Sequence, residues 1–314
     1  MRVGLVNNMP DGAFEETERQ FIRLLCPGTA QSGMQVTRYW MPGIDRGAEV
    51  RRKIVQRYQP VDTLYAYPPD ALIVTGTEPR CGDLRDEAYW QPLAALLRWA
   101  ERHVPVTLLS CLASHAALLT LDGIERRRLP AKLSGVFDQR PHPSHPLVDG
   151  LASVAFPHSR MNDVPTELVS EHGYVVLVDA PGIGWSVAAR ERDGRLLVLL
   201  QGHPEYSPTA LLREYRRDVR RFVEGTALLY PPIPLGYLDP EGVAMLERFG
   251  RESGPSGRRD MAGFPFHAAA AHISVAWQSD SERLLGNWVA EAHRRSTPAS
   301  EATIDVSRPR RKRA

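Results

Sequence analysis

Residues 106–123 constrain this chain more than any others. Residues 106–109 are a short, largely apolar run that suits a buried strand, and they are followed almost at once by an Ala/Leu-rich segment. That segment carries Leu112, Ala116 and Leu119 at helical spacing and closes at Gly123, a helix stop. Cys111 stands at the joint. A strand that feeds directly into a helix points the joint residue out of the sheet's carboxyl edge, with helix N–H groups aimed at it. Such surroundings lower a thiol's pKa and place amide donors beside any oxyanion that forms. Alone, a Cys among small apolar residues reads as buried filler. Residues 201–206, Gln201, Gly202, His203, Pro204, Glu205 and Tyr206, give it a partner.

The segments around this joint alternate in period. Residues 2–7, 34–40, 70–75 and 104–109 read as strands, while 14–25 and 87–103 carry apolar residues at helical spacing. Residues 41–69 are expected to hold one helix and an irregular loop. This order predicts an α/β fold, a doubly wound and mainly parallel sheet with helices on both faces. Further strands are expected at 133–138, 173–179, 184–189 and 196–200, and an Arg-rich helix at 208–221. A main domain over 1–249, a linker over 250–262, a closing helical segment over 263–294 and a disordered basic tail over 295–314 complete the expected organisation.

The chain has 314 residues, enough for a large core. Its net charge of +2 gives no reason to expect a nucleic-acid or membrane partner, and no stretch has the ~18 apolar residues of a membrane span. The basic run at 308–313 reads as a solubilising end. Three cysteines cannot all pair and follow no metal-ligand spacing, so a reducing cytoplasm and no metal are expected.

Gly202, His203, Pro204 and Glu205 follow the apolar run 196–200, which places them at another carboxyl strand end. His203 can serve as a general base, and a carboxylate two residues later can hold its imidazole in the working tautomer. With Cys111 this makes a nucleophile–base–orienter set.

These residues, in this order on an α/β chain, resemble the class I glutamine amidotransferase-like superfamily. Within it the chain resembles the homoserine O-acyltransferases, on the succinyltransferase branch of methionine biosynthesis. The pieces that carry the resemblance span residues 3–218: Asn8 to Pro10, 16–25, Leu72 to Gly76, Ala88 to Trp90, Lys132 to Val136, Pro157 to Arg160 and Gly202 to Tyr206. A weaker echo lies at 284–289. The resemblance implies ping-pong acyl transfer from succinyl-CoA or acetyl-CoA as co-substrate, with no bound cofactor. Cys111 would carry the acyl group, His203 would take the acceptor's proton and Glu205 would support the imidazole. It implies Lys132, Ser159 and Arg217 as contacts to L-homoserine, and oxyanion donors near Leu112 and in the Gly76–Thr77 turn. A homodimer is the family expectation.

The chain departs from that pattern in places. Leu112 stands where Trp is usual, and Ser114 and His115 stand where Gln-type residues are common. Arg80 occupies the loop position that helps to choose the acyl donor, where an Arg could pair with a succinyl carboxylate; Glu78 nearby leaves acetyl open. The N-terminal extension usual in the family is not in this sequence. Serine as acceptor, a glutaminase or hydrolase using the same triad, and a non-catalytic binding protein are the alternatives.

Overall fold

The computed structural model describes residues 1–26, 33–142, 145–253 and 260–296. The chain opens with β1 (Arg2–Val6), α1 (Asp11–Leu25), β2 (Gln35–Trp40), α2 (Ala48–Arg57), β3 (Gln59–Pro60), α3 (Thr63–Ala66) and β4 (Ala71–Val74). Then come α4 (Trp90–His103), β5 (Val106–Ser110) and α5 (Leu112–Asp122). The next block holds β6 (Arg127–Pro141), β7 (Val154–Asp163), α6 (Thr166–Glu171), β8 (Val175–Ala180), β9 (Gly184–Arg192), β10 (Arg195–Leu200) and α7 (Ala210–Val223). Helices α8 (Pro240–Ser253), α9 (Phe266–Ala270) and α10 (Gln278–Ser296) follow.

Among the described residues ten strands form one sheet, ordered β3-β2-β1-β4-β5-β10-β9-β8-β6-β7. Every neighbouring pair from β3 to β10 is parallel, and the pairs from β10 to β7 are antiparallel. Successive side chains of a strand face opposite ways. Val3, Leu5, Ile73, Leu108 and Val198 therefore share a core with Phe21 of α1, Tyr215 of α7 and Trp288 of α10. Val6, Leu72, Val74, Leu109 and Leu199 face the other way, onto Leu93 and Leu97 of α4 and Ala116 of α5. A one-residue slip would exchange the two sets, and each fully buried Leu or Val contributes about 1.5–3 kcal/mol, so the register is held firmly. This is the doubly wound arrangement expected from the alternation.

Several boundaries differ from the sequence reading. The expected strand at 133–138 is the middle of β6, a long ribbon paired antiparallel with β7. Strand β7 has no counterpart in that reading, because Pro157 and the polar run His158, Ser159, Arg160 break its alternation. Residues 41–69 hold two helices and a two-residue strand. The linker expected from Gly250 begins inside α8, where Gly250 sits against the Tyr230 ring. Residues 254–259 and the tail from 297 lie outside the described residues. The closing segment is two helices, and α10 runs past 294 because Arg295 is tied to Glu191 at 2.8 Å and to Glu291 at 3.1 Å. Among the described residues no helix is long and apolar enough to cross a membrane.

Candidate active site

The joint between β5 and α5 is a sharp elbow. Cys111 has φ 54° and ψ −113°, a conformation that costs a non-glycine residue about 1–3 kcal/mol and persists only where its surroundings impose it. Its N–H donates to the Leu200 carbonyl at 2.7 Å, which fixes the elbow to the end of β10. Ser114 ties the same two strands together: its hydroxyl donates to Leu109 O at 2.7 Å and accepts from Leu200 N at 3.1 Å. The loop after β4 closes on the elbow. A Cβ at Gly76 would stand 3.0 Å from Leu112 N and 3.1 Å from Ser110 O, so glycine permits this approach. Gly76 thus lies against the backbone on both sides of Cys111, and the first N–H groups of a helix such as α5 have no partner within it.

His203 follows β10 and stands over this elbow. Its backbone N–H donates to Pro157 O at 2.7 Å, and its ring stacks on Tyr206 with centroids 4.2 Å apart. The Nδ1 atom lies 2.9 Å from Glu205 Oε1, and the same oxygen accepts the Ser110 hydroxyl at 2.9 Å. Burial disfavours a charged imidazole here, yet the charges of Cys111 and Glu205 and hydrogen bonds to both hold its pKa well above the ordinary value. The three side chains of the expected triad are therefore brought together, with the base poised to hold a proton between nucleophile and carboxylate.

Lys132, Ser159 and Arg217, which are far apart in the chain, converge on a second cluster. The Lys132 ammonium is 2.6 Å from Asp218 and 3.4 Å from Glu214. The Ser159 hydroxyl donates to Glu214 Oε2, and the Tyr206 hydroxyl donates to Glu214 Oε1. Arg217 lies 3.2 Å from Asp218 and 3.8 Å from Glu214. Burial pushes the Glu214 carboxyl up, but Lys132 and Arg217 with the two hydroxyls outweigh it and keep the pKa below the ordinary value. Glu214 is an ionised carboxylate in a pocket of donors. Tyr206 joins the two clusters, with its ring on His203 and its hydroxyl on Glu214.

The chain matches the sequence model described as homoserine O-succinyltransferase over residues 1–299. It is 41% identical to the homoserine O-succinyltransferase of Methylorubrum extorquens, over 92% of this chain and 86% of that protein. It is 40% identical to that of Rhodopseudomonas palustris, over 92% and 87%. The chain belongs to the homoserine O-succinyltransferase family. Its fold is shared with glutamine amidotransferases from Thermotoga maritima, at TM-score 0.51 and 12% identity over 93% of this chain and 97% of that one. A second, from Methylobacillus flagellatus, gives TM-score 0.50 and 13% identity over 92% and 94%.

In this member of the homoserine O-succinyltransferase family the loop position expected to help choose the acyl donor is Arg80. Its side chain is 73% exposed and its guanidinium lies 2.5 Å from Asp45. The loop is held instead by Glu87, which accepts the N–H groups of Arg80 and Cys81 at 2.5 and 2.6 Å. Glu78 reaches Arg221 at 2.6 Å. Glu214 was invisible to sequence reasoning because it sits in an Arg-rich helix that reads as a solvated face; the one signal was its place three residues before Arg217.

Ser114 and His115 are buried beneath the elbow and hold it from below. His115 Nε2 lies 2.8 Å from Gln201 Oε1, and Gln201 donates to Trp185 O at 2.9 Å. Burial lowers the His115 pKa to about 4, against ~6.5 for an exposed imidazole. The folded chain therefore binds fewer protons than the unfolded chain between these values. His115's contribution to stability is complete above pH ~6.5 and is lost as the pH falls toward 4, by about 3 kcal/mol at 1.36 kcal/mol per unit. His158, whose pKa is also lowered by burial, adds to the slope. Urea unfolding between pH 4 and 7 should show stability rising with pH, and His115→Gln should remove close to one proton from that dependence. An unaltered proton slope in the variant would count against this assignment.

Proposed function

We propose that this protein transfers the succinyl group of succinyl-CoA to the hydroxyl of L-homoserine, releasing CoA and O-succinylhomoserine, in methionine biosynthesis. The observation that carries this reading is the adjacency of two sites: the Cys111–His203–Glu205 set and, through Tyr206, the buried Glu214 pocket with its flanking cations.

The Cys111 sulfur attacks the thioester carbonyl. The negative charge gathered on the carbonyl oxygen is met by N–H groups at Leu112 and in the Gly76–Thr77 turn, fixed before the reaction begins. When the tetrahedral adduct collapses, the carbon–sulfur bond to CoA breaks, the leaving thiolate takes the proton held by His203, and Cys111 keeps the succinyl group. Homoserine then enters. Its ammonium meets Glu214, its carboxylate meets the Lys132 and Arg217 cations, and Ser159 contacts its polar end. These contacts bring its hydroxyl to His203, which removes the proton as the oxygen attacks the acyl carbon. Glu205 accepts from Nδ1 throughout and so leaves Nε2 for proton transfer. Collapse of the second adduct frees Cys111 and the ester product.

The partly exposed nucleophile and three free thiols suit a reducing, cytoplasmic setting, and a homodimer is the expected assembly.

Intact mass after brief mixing with succinyl-CoA, without acceptor, tests the reading. The expected result is a gain of one succinyl group that Cys111→Ala does not show and that added homoserine discharges. Discharge by serine alone would change the acceptor. Absence of any adduct, together with ammonia release from glutamine, would replace the reading with a glutaminase.

A further inference from the structure

The imidazole of His203 has to store a proton in one half-reaction and be free of it for the other, and it has to keep its place while the acceptor enters. Glu205 holds only its edge, through Nδ1 at 2.9 Å. One face of the ring is covered by Tyr206, whose ring lies 4.2 Å away, centroid to centroid, and within 19° of parallel. An aromatic ring presents a negative π face to a cation, so this stack favours the imidazolium over the neutral imidazole.

The Tyr206 ring is anchored at both ends. The residue is buried, and its N–H donates to His203 O at 3.1 Å. Its carbonyl accepts the Trp277 indole N–H at 2.9 Å and the Gln278 side-chain amide at 3.2 Å. Trp277 is fully buried, and Gln278 is itself bound by Arg23 of α1 at 2.6 Å, so the closing helical segment clamps the turn. At the far end of the ring the hydroxyl donates to Glu214 Oε1. Burial and the Glu214 charge push the phenol pKa well above its ordinary value, so the hydroxyl remains a donor. The base and the acceptor's carboxylate thus sit at two ends of one rigid side chain.

We propose that Tyr206 is a positioning residue with two separable duties: its ring face stabilises protonated His203, and its hydroxyl sets Glu214 at a fixed span from that base. The inference rests on the acyl-transfer reading above. It deepens that reading by giving the proton-storing form of the base a support outside the Cys111–His203–Glu205 set.

The succinyl-Cys111 state isolates the first duty. The titratable groups that act on His203 are Cys111 at the β5–α5 joint, Glu205 on its own turn, His158 on β7 and Tyr206 itself. Acylation takes away the thiolate, and burial keeps His158 neutral, so Glu205 and the Tyr206 face are left to hold the proton. Discharge needs the neutral imidazole, so its rate climbs with pH through the His203 pKa. Loss of the ring face weakens the imidazolium and moves that midpoint down.

Homoserine-dependent discharge of preformed succinyl-Cys111 is followed by rapid-quench intact mass over a range of pH, for the full-length parent, Tyr206→Phe and Tyr206→Leu. Tyr206→Phe keeps the stack and loses the donor: the KM for homoserine should rise roughly 10-fold with the midpoint in place. Tyr206→Leu loses both, and its midpoint should also fall by about 0.5–1 pH unit. A merely structural defect would slow discharge without moving the midpoint. If Tyr206→Leu does not unfold cooperatively, a ring-fluorinated phenylalanine at 206, which keeps the shape and drains the π face, is compared with Tyr206→Phe and should show the same fall. An unmoved midpoint on losing or fluorinating the ring overturns the proposal, as does an unmoved KM in Tyr206→Phe. A midpoint that falls equally in Tyr206→Phe would trace the effect to the hydroxyl and overturn it too. In each case succinyl transfer by the parent leaves the functional reading standing, whereas a parent that forms no acyl-Cys111 removes both.

Discussion

Replacing His203 with Asn is expected to reduce turnover with succinyl-CoA and homoserine by about 10³-fold or more, while thermal unfolding still shows a cooperative fold. General acid–base catalysis by one placed side chain is worth ~10²–10⁴-fold, and here a single imidazole serves both half-reactions. It holds the proton that the CoA thiolate takes, and it removes the proton of the acceptor hydroxyl. Asn keeps the backbone bond to Pro157 O and can still reach Glu205 Oε1, so the turn after β10 has its anchors. What it cannot do is change charge. The elevated imidazole pKa, held up by Cys111 and Glu205 against burial, is what makes proton storage available at neutral pH. Acyl-enzyme formation and homoserine-dependent discharge should both slow when followed separately by intact mass. Turnover within tenfold of the parent would mean that another group supplies the base.

The same residues show how far the sequence could be read. Cys111 and His203 each follow an apolar run that must be a strand, so the topology alone puts both at the carboxyl edge of one sheet. Neighbouring parallel strands β5 and β10 then bring them together. That inference needs only periodicity and the direction of a parallel pair. A position in a loop does not fix where a long side chain goes: Arg80 reaches Asp45, 35 residues upstream. Glu214 was hidden for a related reason: it sits in an Arg-rich stretch, and charge composition cannot distinguish a solvated charge from one held in a buried cluster. The distinction appears only when β6 and β7 bring Lys132 and Ser159 over α7, which requires the antiparallel ribbon that Pro157 conceals in the sequence. The strands of the parallel half were legible; their order and the contacts between its helices and the antiparallel wing were not.

Glu214→Gln is expected to raise the KM for homoserine by about 10²-fold or more and to leave the formation of acyl-Cys111 nearly unchanged. Removing one partner of a buried charge pair typically costs ~2–5 kcal/mol of binding, which exceeds the worth of a surface pair. The carboxylate at 214 accepts from Ser159 and Tyr206 and lies beside Lys132 and Arg217, so it is ionised and held in one orientation before the acceptor arrives. An amide of nearly the same shape can still accept from one of the two hydroxyls and donate to the oxygen of the other, but it carries no charge for an ammonium. Lys132 and Arg217 keep Asp218 in the variant, so their positions should survive. The defect should therefore appear in the second half-reaction alone, and it should depend on the acceptor's amine. A hydroxy acid of homoserine's length that lacks the amine should be a poor acceptor for the parent, and the variant should discriminate against it far less. If the acyl-enzyme fails to form, Glu214 supports the nucleophile's side of the site; if homoserine's KM stays within a few-fold, its ammonium is bound elsewhere.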